Sequence, residues 1–139
     1  MLRALDISTS ALVAQRTRLN AVSGNIANMS SLTDENGKAN PYQAREVVFQ
    51  TDESNSISGA SGVKVAEIKT SDTQPLYRYQ PNHPLAIKDG KWKGYVAYPN
   101  IDLTTQMVDA LESTRAYEAN VGVMEITKNL SRETLTILA

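Results

Sequence analysis

The chain begins and ends with segments in which apolar residues recur at helical spacing. In the first segment, four apolar residues lie seven positions apart: Leu5, Leu12, Leu19 and Ile26. In the last segment, from about Asn100 onwards, apolar residues lie three to four positions apart, with Asn100 or Asp102 as a candidate cap. Such spacing is typical of amphipathic helices. The pattern predicts two terminal helices, about 40 and about 57 Å long.

Between these helices, the pattern changes to short segments separated by turn-forming residues. All five prolines lie in this middle part. Four segments have the composition of β-strands: 45–50, 63–68, 75–79 and 94–98. Two polar stretches rich in small residues predict loops that we expect to be flexible: 31–41 and 51–62. The middle part is therefore predicted to be β-rich.

Together these elements predict an α+β fold in three parts. They are an N-terminal assembly helix (1–30), a small β-rich middle domain (31–99) and a C-terminal assembly helix (100–139). A middle domain of this size cannot cover two such long helices. Burying four Leu or Ile side chains contributes about 6–12 kcal/mol, less than ordering one helix backbone costs. We therefore expect the terminal helices to be weakly ordered alone and to fold against other subunits in a coiled-coil-like layer.

The composition excludes several classes of protein. The absence of cysteine excludes disulfide frameworks, thiolate metal sites and thiol nucleophiles. A net charge of −1 gives no basic surface, so we expect no binding to nucleic acid and no direct binding to lipid. No apolar run has the length of a membrane span or of a cleaved signal peptide. We expect a cytosolic protein, or one that leaves the cell without a cleaved signal.

The residues offer no catalytic set. His83 is the single histidine and lies in a Pro-Asn-His-Pro stretch, which favours a rigid turn over a general base or a metal ligand. Residues 34–37 resemble the start of a calcium loop but lack its downstream glutamate, so a surface turn is the better interpretation. We expect no enzymatic activity, no cofactor and no metal.

The first predicted helix ends in an unusual pair, Asn25 and Asn28. Asparagine is unfavourable inside helices because its amide competes for backbone hydrogen bonds. Two interpretations stay open. The amides can cap the helix end, or they can bond across to other helices and fix the register, as buried polar residues do in coiled coils.

The stretch around these asparagines, SGNIANMSS (23–31), resembles the signature of bacterial flagellar axial proteins, the rod and hook group. Further stretches resemble the proximal rod members of that family: YQAREVVFQ (42–50), GVKV (62–65), PNHP (81–84), GYVAYPNIDL (94–103) and TRAYEANVGVMEITK (114–128). The resemblance extends from about residue 2 to the carboxyl end. The signature departs from the family's usual form at Gly24 and at Ser30-Ser31.

This resemblance implies a structural subunit of the flagellar basal-body rod that polymerises through its terminal helices and transmits torque from motor to hook. It implies copies of itself and other rod proteins as partners. It also implies export by the flagellar type III apparatus without a cleaved signal, and a place in the rod within the periplasmic space. We predict subunit contacts at residues on both helices: Leu5, Leu12, Leu19, Val22, Asn25, Ile26, Asn28, Leu111, Tyr117, Asn120, Val121, Met124 and Leu130.

Three other functions are compatible with parts of the pattern. Another axial subunit of the flagellum would share the signature. A small hydrolase or sugar-binding module would need a cleft with at least two converging titratable groups. A helical export adaptor would be a folded, soluble dimer whose long helices resist proteolysis.

Overall fold

Two long helices frame the chain, as the sequence predicts. In the computed structural model, which describes residues 2–57 and 60–138, α1 spans Leu2–Ala27 and α2 spans Leu103–Leu138. Their 26 and 36 residues give lengths of about 39 and about 54 Å. The prediction of an α+β fold with terminal helices and a β-rich middle is confirmed.

The two helices pack against each other in an antiparallel arrangement. Asn25, near the end of α1, meets Gln106, near the start of α2, at 2.9 Å. Because both helices rise 1.5 Å per residue and run in opposite directions, each step back along α1 corresponds to one step forward along α2. Counting from this contact, Leu2 lies opposite about residue 129 of α2. The last turns of α2 therefore extend beyond α1. The side chains of residues 132–137 are all exposed.

The first two strands form a long antiparallel hairpin that lies along α1. Strand β1 spans Arg45–Ile57 and strand β2 spans Ala60–Thr70, with residues 58–59 outside the described part of the chain. The register pairs the two outer ends, Arg45 with Thr70, and shifts between Val48 and Phe49. We refer to β1 and β2 as the long hairpin.

The long hairpin corrects one prediction. Residues 51–57 and 60–62 were expected in a loop, but they lie in strands. Their polar and small side chains gave no strand signal. Hydrogen bonds between the two backbones satisfy the N–H and C=O groups whatever the side chains are, so the ladder extends beyond the apolar segments.

The last two strands form a second, separate hairpin. Strand β3 spans Leu76–Tyr79 and strand β4 spans Tyr95–Tyr98, and they pair antiparallel. Among the described residues, the four strands thus make two sheets of two strands each rather than one. The predicted strands at 75–79 and 94–98 are confirmed, each starting one residue later. We refer to β3, β4 and the connecting residues 80–94 as the aromatic hairpin.

The polar stretch 31–41 contains a tight turn. The carboxylate of Asp34 accepts hydrogen bonds from the backbone N–H groups of Asn36 and Lys38, both at 2.9 Å. Gly37 has a φ of 74°, a left-handed conformation that glycine adopts without strain. The interpretation of residues 34–37 as a surface turn is confirmed, because the carboxylate is occupied by the turn's own backbone.

The side chain of Asn25 joins α1 to both of its neighbours. Its Nδ2 atom donates to the carbonyl of Arg45 and to Oε1 of Gln106, both at 2.9 Å. Its Oδ1 atom accepts from the backbone N–H of Arg45 at 2.8 Å and from the hydroxyl of Tyr42 at 3.3 Å. The amide uses its full hydrogen-bonding capacity and is only 2% exposed. It fastens the start of β1 and the first turn of α2 to α1.

A second attachment holds the far part of the long hairpin on α1. The hydroxyl of Ser10 accepts a hydrogen bond from the backbone N–H of Val63 at 3.1 Å and donates to the carbonyl of Ile7. A Cβ atom at Gly62 would lie 2.9 Å from that hydroxyl, so the close approach requires glycine. Between the two attachments, the guanidinium of Arg18 lies 4.0 Å from the ring centre of Phe49.

The helix α2 begins at a side-chain cap. The carboxylate of Asp102 accepts hydrogen bonds from the backbone N–H of Thr104 at 3.4 Å and from the N–H of Thr105 at 3.0 Å. It also accepts a hydrogen bond from the hydroxyl of Thr105 at 2.6 Å. The pKa of Asp102 lies below its ordinary value of 3.8. The largest cause is the hydrogen bond from the Thr105 hydroxyl, and the backbone N–H groups add to it, because all of them stabilise the charged carboxylate. Of the two candidate caps, Asp102 therefore occupies the position.

We expect Asp102→Ala to lower the stability of the first turn of α2. Because the folded pKa is depressed, the cap stabilises the fold fully above the ordinary pKa of 3.8 and loses this effect as the pH falls through the lower folded value. Amide hydrogen exchange at Thr104 and Thr105 measures the loss. The exposed Asp72→Ala is the matched control. Equal exchange in both variants at neutral pH contradicts the assignment of the cap.

We expect Asn25→Ala to destabilise the chain by about 2–4 kcal/mol, because it leaves buried polar groups of β1 and α2 without partners. Urea unfolding measures the difference. Asn20→Ala makes the same chemical change at an exposed position of the same helix and should change stability by less than about 0.5 kcal/mol. If the two variants unfold at the same urea concentration, the joining role of Asn25 is wrong.

Candidate functional site

The two asparagines of the opening signature have different roles. Asn28 acts locally: its Nδ2 atom donates to the carbonyl of Gly24 at 2.9 Å, and its Oδ1 atom accepts from the hydroxyl of Ser31 at 3.1 Å. Asn25 instead bonds across to α2 and β1 within its own chain. Each of the two interpretations left open by the sequence thus holds for one asparagine.

The face of α2 that packs on α1 consists of polar and small residues. Four polar side chains lie at intervals of seven residues along its middle: Gln106, Ser113, Asn120 and Thr127. Ser113 is fully buried, and the other three are half-buried. Among the described helices and strands, α2 contacts only α1, so this burial marks the side toward α1. We call this contact the helix seam.

Helix α1 carries the four heptad-spaced apolar residues, and we call this row the leucine edge. Its four residues are all half-buried: Leu5, Leu12, Leu19 and Ile26. Leu12 lies about 200° around the helix from Ser10, which contacts the long hairpin. The leucine edge is therefore turned away from the hairpin, and α2 is the other element that contacts α1. Val22, next to this edge, is buried.

Of the four polar residues of α2 in the helix seam, the sequence identified Asn120 as a contact residue but not Gln106, Ser113 or Thr127. These three are polar, and the helical periodicity of apolar residues gives no signal at their positions. A usable signal was present: the polar residues of α2 repeat every seven positions, in parallel with the leucines of α1. The position opposite a leucine edge favours small residues, because they let two helices approach closely.

Many of the large apolar residues of α2 face away from α1. Of the residues predicted on α2 for subunit contacts, four are exposed: Leu111, Tyr117, Val121 and Leu130. Asn120 and Met124 are half-buried near the helix seam, and the Nδ2 atom of Asn120 donates to the carbonyl of Ala116. The structure thus divides the predicted residues between the helix seam and the outer surface of α2.

Two stripes of exposed residues run along α2. One stripe lies within about 60° around the helix, and we call it the apolar stripe: Val108, Ala119, Val123, Ile126, Leu130 and Ile137. Glu112 interrupts it near its start. A second stripe lies within about 80°, and we call it the acidic stripe: Leu103, Met107, Leu111, Glu118, Val121 and Glu125. Arg132 lies on the same side, about two turns beyond Glu125. Both stripes are available to other molecules in the isolated chain.

Metal ligation, membrane spanning and the single histidine were each considered in the sequence, and the described residues bear on all three. No group of three or more His, Asp or Glu residues within it could hold a metal ion. Neither helix, over its described residues, has the length and apolar character needed to cross a membrane. The Nδ1 atom of His83 accepts a hydrogen bond from the backbone N–H of Leu85 at 3.1 Å, as in a rigid turn.

Comparison with protein families matches both terminal helices. Residues 5–33 match the family model described as flagella basal body rod protein. Residues 93–137 match the model described as flagellar basal body rod FlgEFG protein C-terminal. The first match covers most of α1 and its asparagine signature, and the second covers β4 and nearly all of α2.

Relatives from distant bacteria match the chain over almost its full length. The flagellar basal-body rod protein FlgC of Escherichia coli O157:H7 is 41% identical over 139 residues, 99% of this chain and 97% of the relative. FlgC of Salmonella typhimurium is 39% identical over 137 residues with the same coverage. FlgC of Bacillus subtilis is 38% identical over 146 residues, 96% of this chain and 95% of the relative. This kinship confirms the resemblance found in the sequence and the expectation that the protein is not an enzyme. The chain belongs to the FlgC family and is a structural subunit of the flagellar basal-body rod.

Proposed function

We propose that this rod subunit polymerises by burying the outer surface of α2 against the terminal helices of neighbouring subunits. The observation that carries the proposal is the apolar stripe. Ile126 is 62% exposed and Leu130 is 53% exposed in the isolated chain. Burying a side chain of this size contributes about 1.5–3 kcal/mol, so several together favour association strongly.

The length difference between the helices supports the same proposal. The part of α2 beyond about residue 129 has no α1 residue opposite it, and Leu135 and Ile137 are exposed there. An isolated helical end is marginally stable in water. Packing on a neighbour would order it and would extend the antiparallel pair into a continuous coiled-coil-like layer.

The predicted contact residues take two roles in this proposal. The exposed residues contact neighbours directly: Leu111, Tyr117, Val121 and Leu130. The residues on α1 and at the helix seam set the shape of the helix pair: Leu5, Leu12, Leu19, Val22, Asn25, Ile26, Asn28, Asn120 and Met124. The helical parts (1–30 and 100–139) would form the inner layer of the rod, and the middle part (31–99) would lie outside it.

The mechanical role follows from this layer. Neighbours would be copies of this chain and other rod proteins. Torque passing from motor to hook twists the rod, and helices packed side by side along their lengths resist twisting through many contacts at once. Single side-chain contacts between compact domains would offer less resistance. The hydrogen bonds of Asn25 to Arg45 and Gln106 would keep the helix pair and the middle part together under load.

We also propose that the chain is exported unfolded by the flagellar type III apparatus, without a cleaved signal, and assembles in the periplasmic space. Two properties support this route. The buried apolar side chains are small, namely Ala14, Ala21, Val22 and Val96, so unfolding the isolated chain costs little. The sequence contains no cysteine, so no disulfide can form in an oxidising compartment and trap a misfolded chain.

We expect Leu130→Asp to abolish swimming when it replaces the chain in a motile cell, because a carboxylate would enter an apolar contact. The isolated variant should keep its fold, with stability changed by less than about 1 kcal/mol, because Leu130 is exposed there. Swimming in soft agar and urea unfolding measure the two effects. Asn129→Asp places the same charge on the neighbouring exposed position and should swim. Normal swimming of Leu130→Asp would show that the apolar stripe is not an interface.

A further inference from the structure

The aromatic hairpin presents aromatic side chains on one face. Tyr77 and Trp92 stack with ring centres 4.2 Å apart, and Tyr95 meets Trp92 edge-on at 5.4 Å and Tyr79 at 5.3 Å. Tyr79 is nevertheless 66% exposed. A Cβ atom at Gly94 would lie 2.9 Å from the Tyr79 ring, so the glycine lets the ring lie against the turn. The result is a preformed aromatic surface.

This surface carries positive charge. The connecting residues contribute three lysines and one aspartate: Lys88, Lys91, Lys93 and Asp89. The Nζ atom of Lys91 lies 5.5 Å from the ring centre of Trp92. Lys88 and Lys93 line a shallow cleft of about 470 Å³ beside Tyr79. Within the described residues, none of these three lysines forms an ion pair with a carboxylate.

No other helix or strand in the described part of the chain covers this surface. Among the described helices and strands, β3 and β4 contact only each other. Tyrosine and tryptophan are among the residue types that dominate the energy of protein interfaces. The cleft has room for one or two apolar side chains. A matching partner would combine acidic groups with apolar side chains of moderate size.

The acidic stripe of α2 has this character. Met107 is 59% exposed and Leu111 is 52% exposed on it. Glu118 and Glu125 are exposed further along the same side of the helix, and neither forms an ion pair in the described part of the chain. The acidic stripe lies on a different side of α2 from the apolar stripe, so both can be covered at once.

We propose that the aromatic hairpin of one subunit docks on the acidic stripe of α2 in a second copy of this chain. The proposal rests on the proposed assembly through α2 and adds a second contact to it. Lysines on the hairpin meet Glu118 and Glu125, and Val121, which lies between these glutamates along the helix, enters the cleft beside Tyr79. Two basic hairpins repel each other, and so do two acidic stripes. The contact therefore joins two different surfaces, the hairpin of one copy and the stripe of another. Contacts of this kind generate rings or open helical assemblies.

A charge exchange tests this contact in cells that carry the full chain. Lys91→Glu with Lys93→Glu makes both surfaces acidic, and Glu118→Lys with Glu125→Lys makes both basic. Each double variant should weaken the contact at least about tenfold and abolish swimming. The quadruple variant restores opposite charges and should recover swimming. Lys38→Glu with Lys64→Glu changes the net charge equally at other exposed positions and should swim.

Urea unfolding of each purified variant establishes that it folds. Normal swimming of either double variant overturns the proposal. Failure of the quadruple variant to improve on both doubles also overturns it, because the lysines then meet something other than this stripe of a second copy. If these variants swim while Leu130→Asp does not, assembly through the apolar stripe stands and the docking contact alone is wrong.

Discussion

The amide of Asn25 is the interaction on which the arrangement of the chain depends. It is buried, and it bonds at once to the backbone of Arg45 at the start of β1 and to Gln106 in the first turn of α2. As a result, α1 contacts α2 on one side and the long hairpin on another. A buried amide with all its partners specifies one geometry, because a shifted register would leave polar groups without hydrogen bonds.

The helix seam explains why the subunit exposes so much apolar surface. The side of α2 toward α1 is largely polar and small, so α2 turns Ile126, Leu130 and Leu111 outward. A monomeric protein gains nothing from this orientation. A subunit that assembles with other rod components can bury this surface against them. Stability would then come largely from neighbours.

Periodicity predicted the terminal helices closely, because spacing over many turns averages out local exceptions, and the signature at 23–31 identified the family. Other features depend on pairing between distant residues. The strand at 51–57 has no strand composition, and its place follows from pairing with β2. The sequence could not tell that Asn25 bonds across while Asn28 caps, because both are asparagines within one turn. Nor could it show which side of α2 meets α1.

The apolar stripe of α2 is exposed in the isolated chain, and we propose that it is buried in the assembled rod. Because the chain has no cysteine, Ile126→Cys provides a single reporter. The rate of its reaction with a maleimide, relative to the unfolded chain, can be measured for the purified subunit and for isolated basal bodies. We expect fast labelling of the purified subunit and strong protection in the rod. Equal labelling rates in the two states would contradict it.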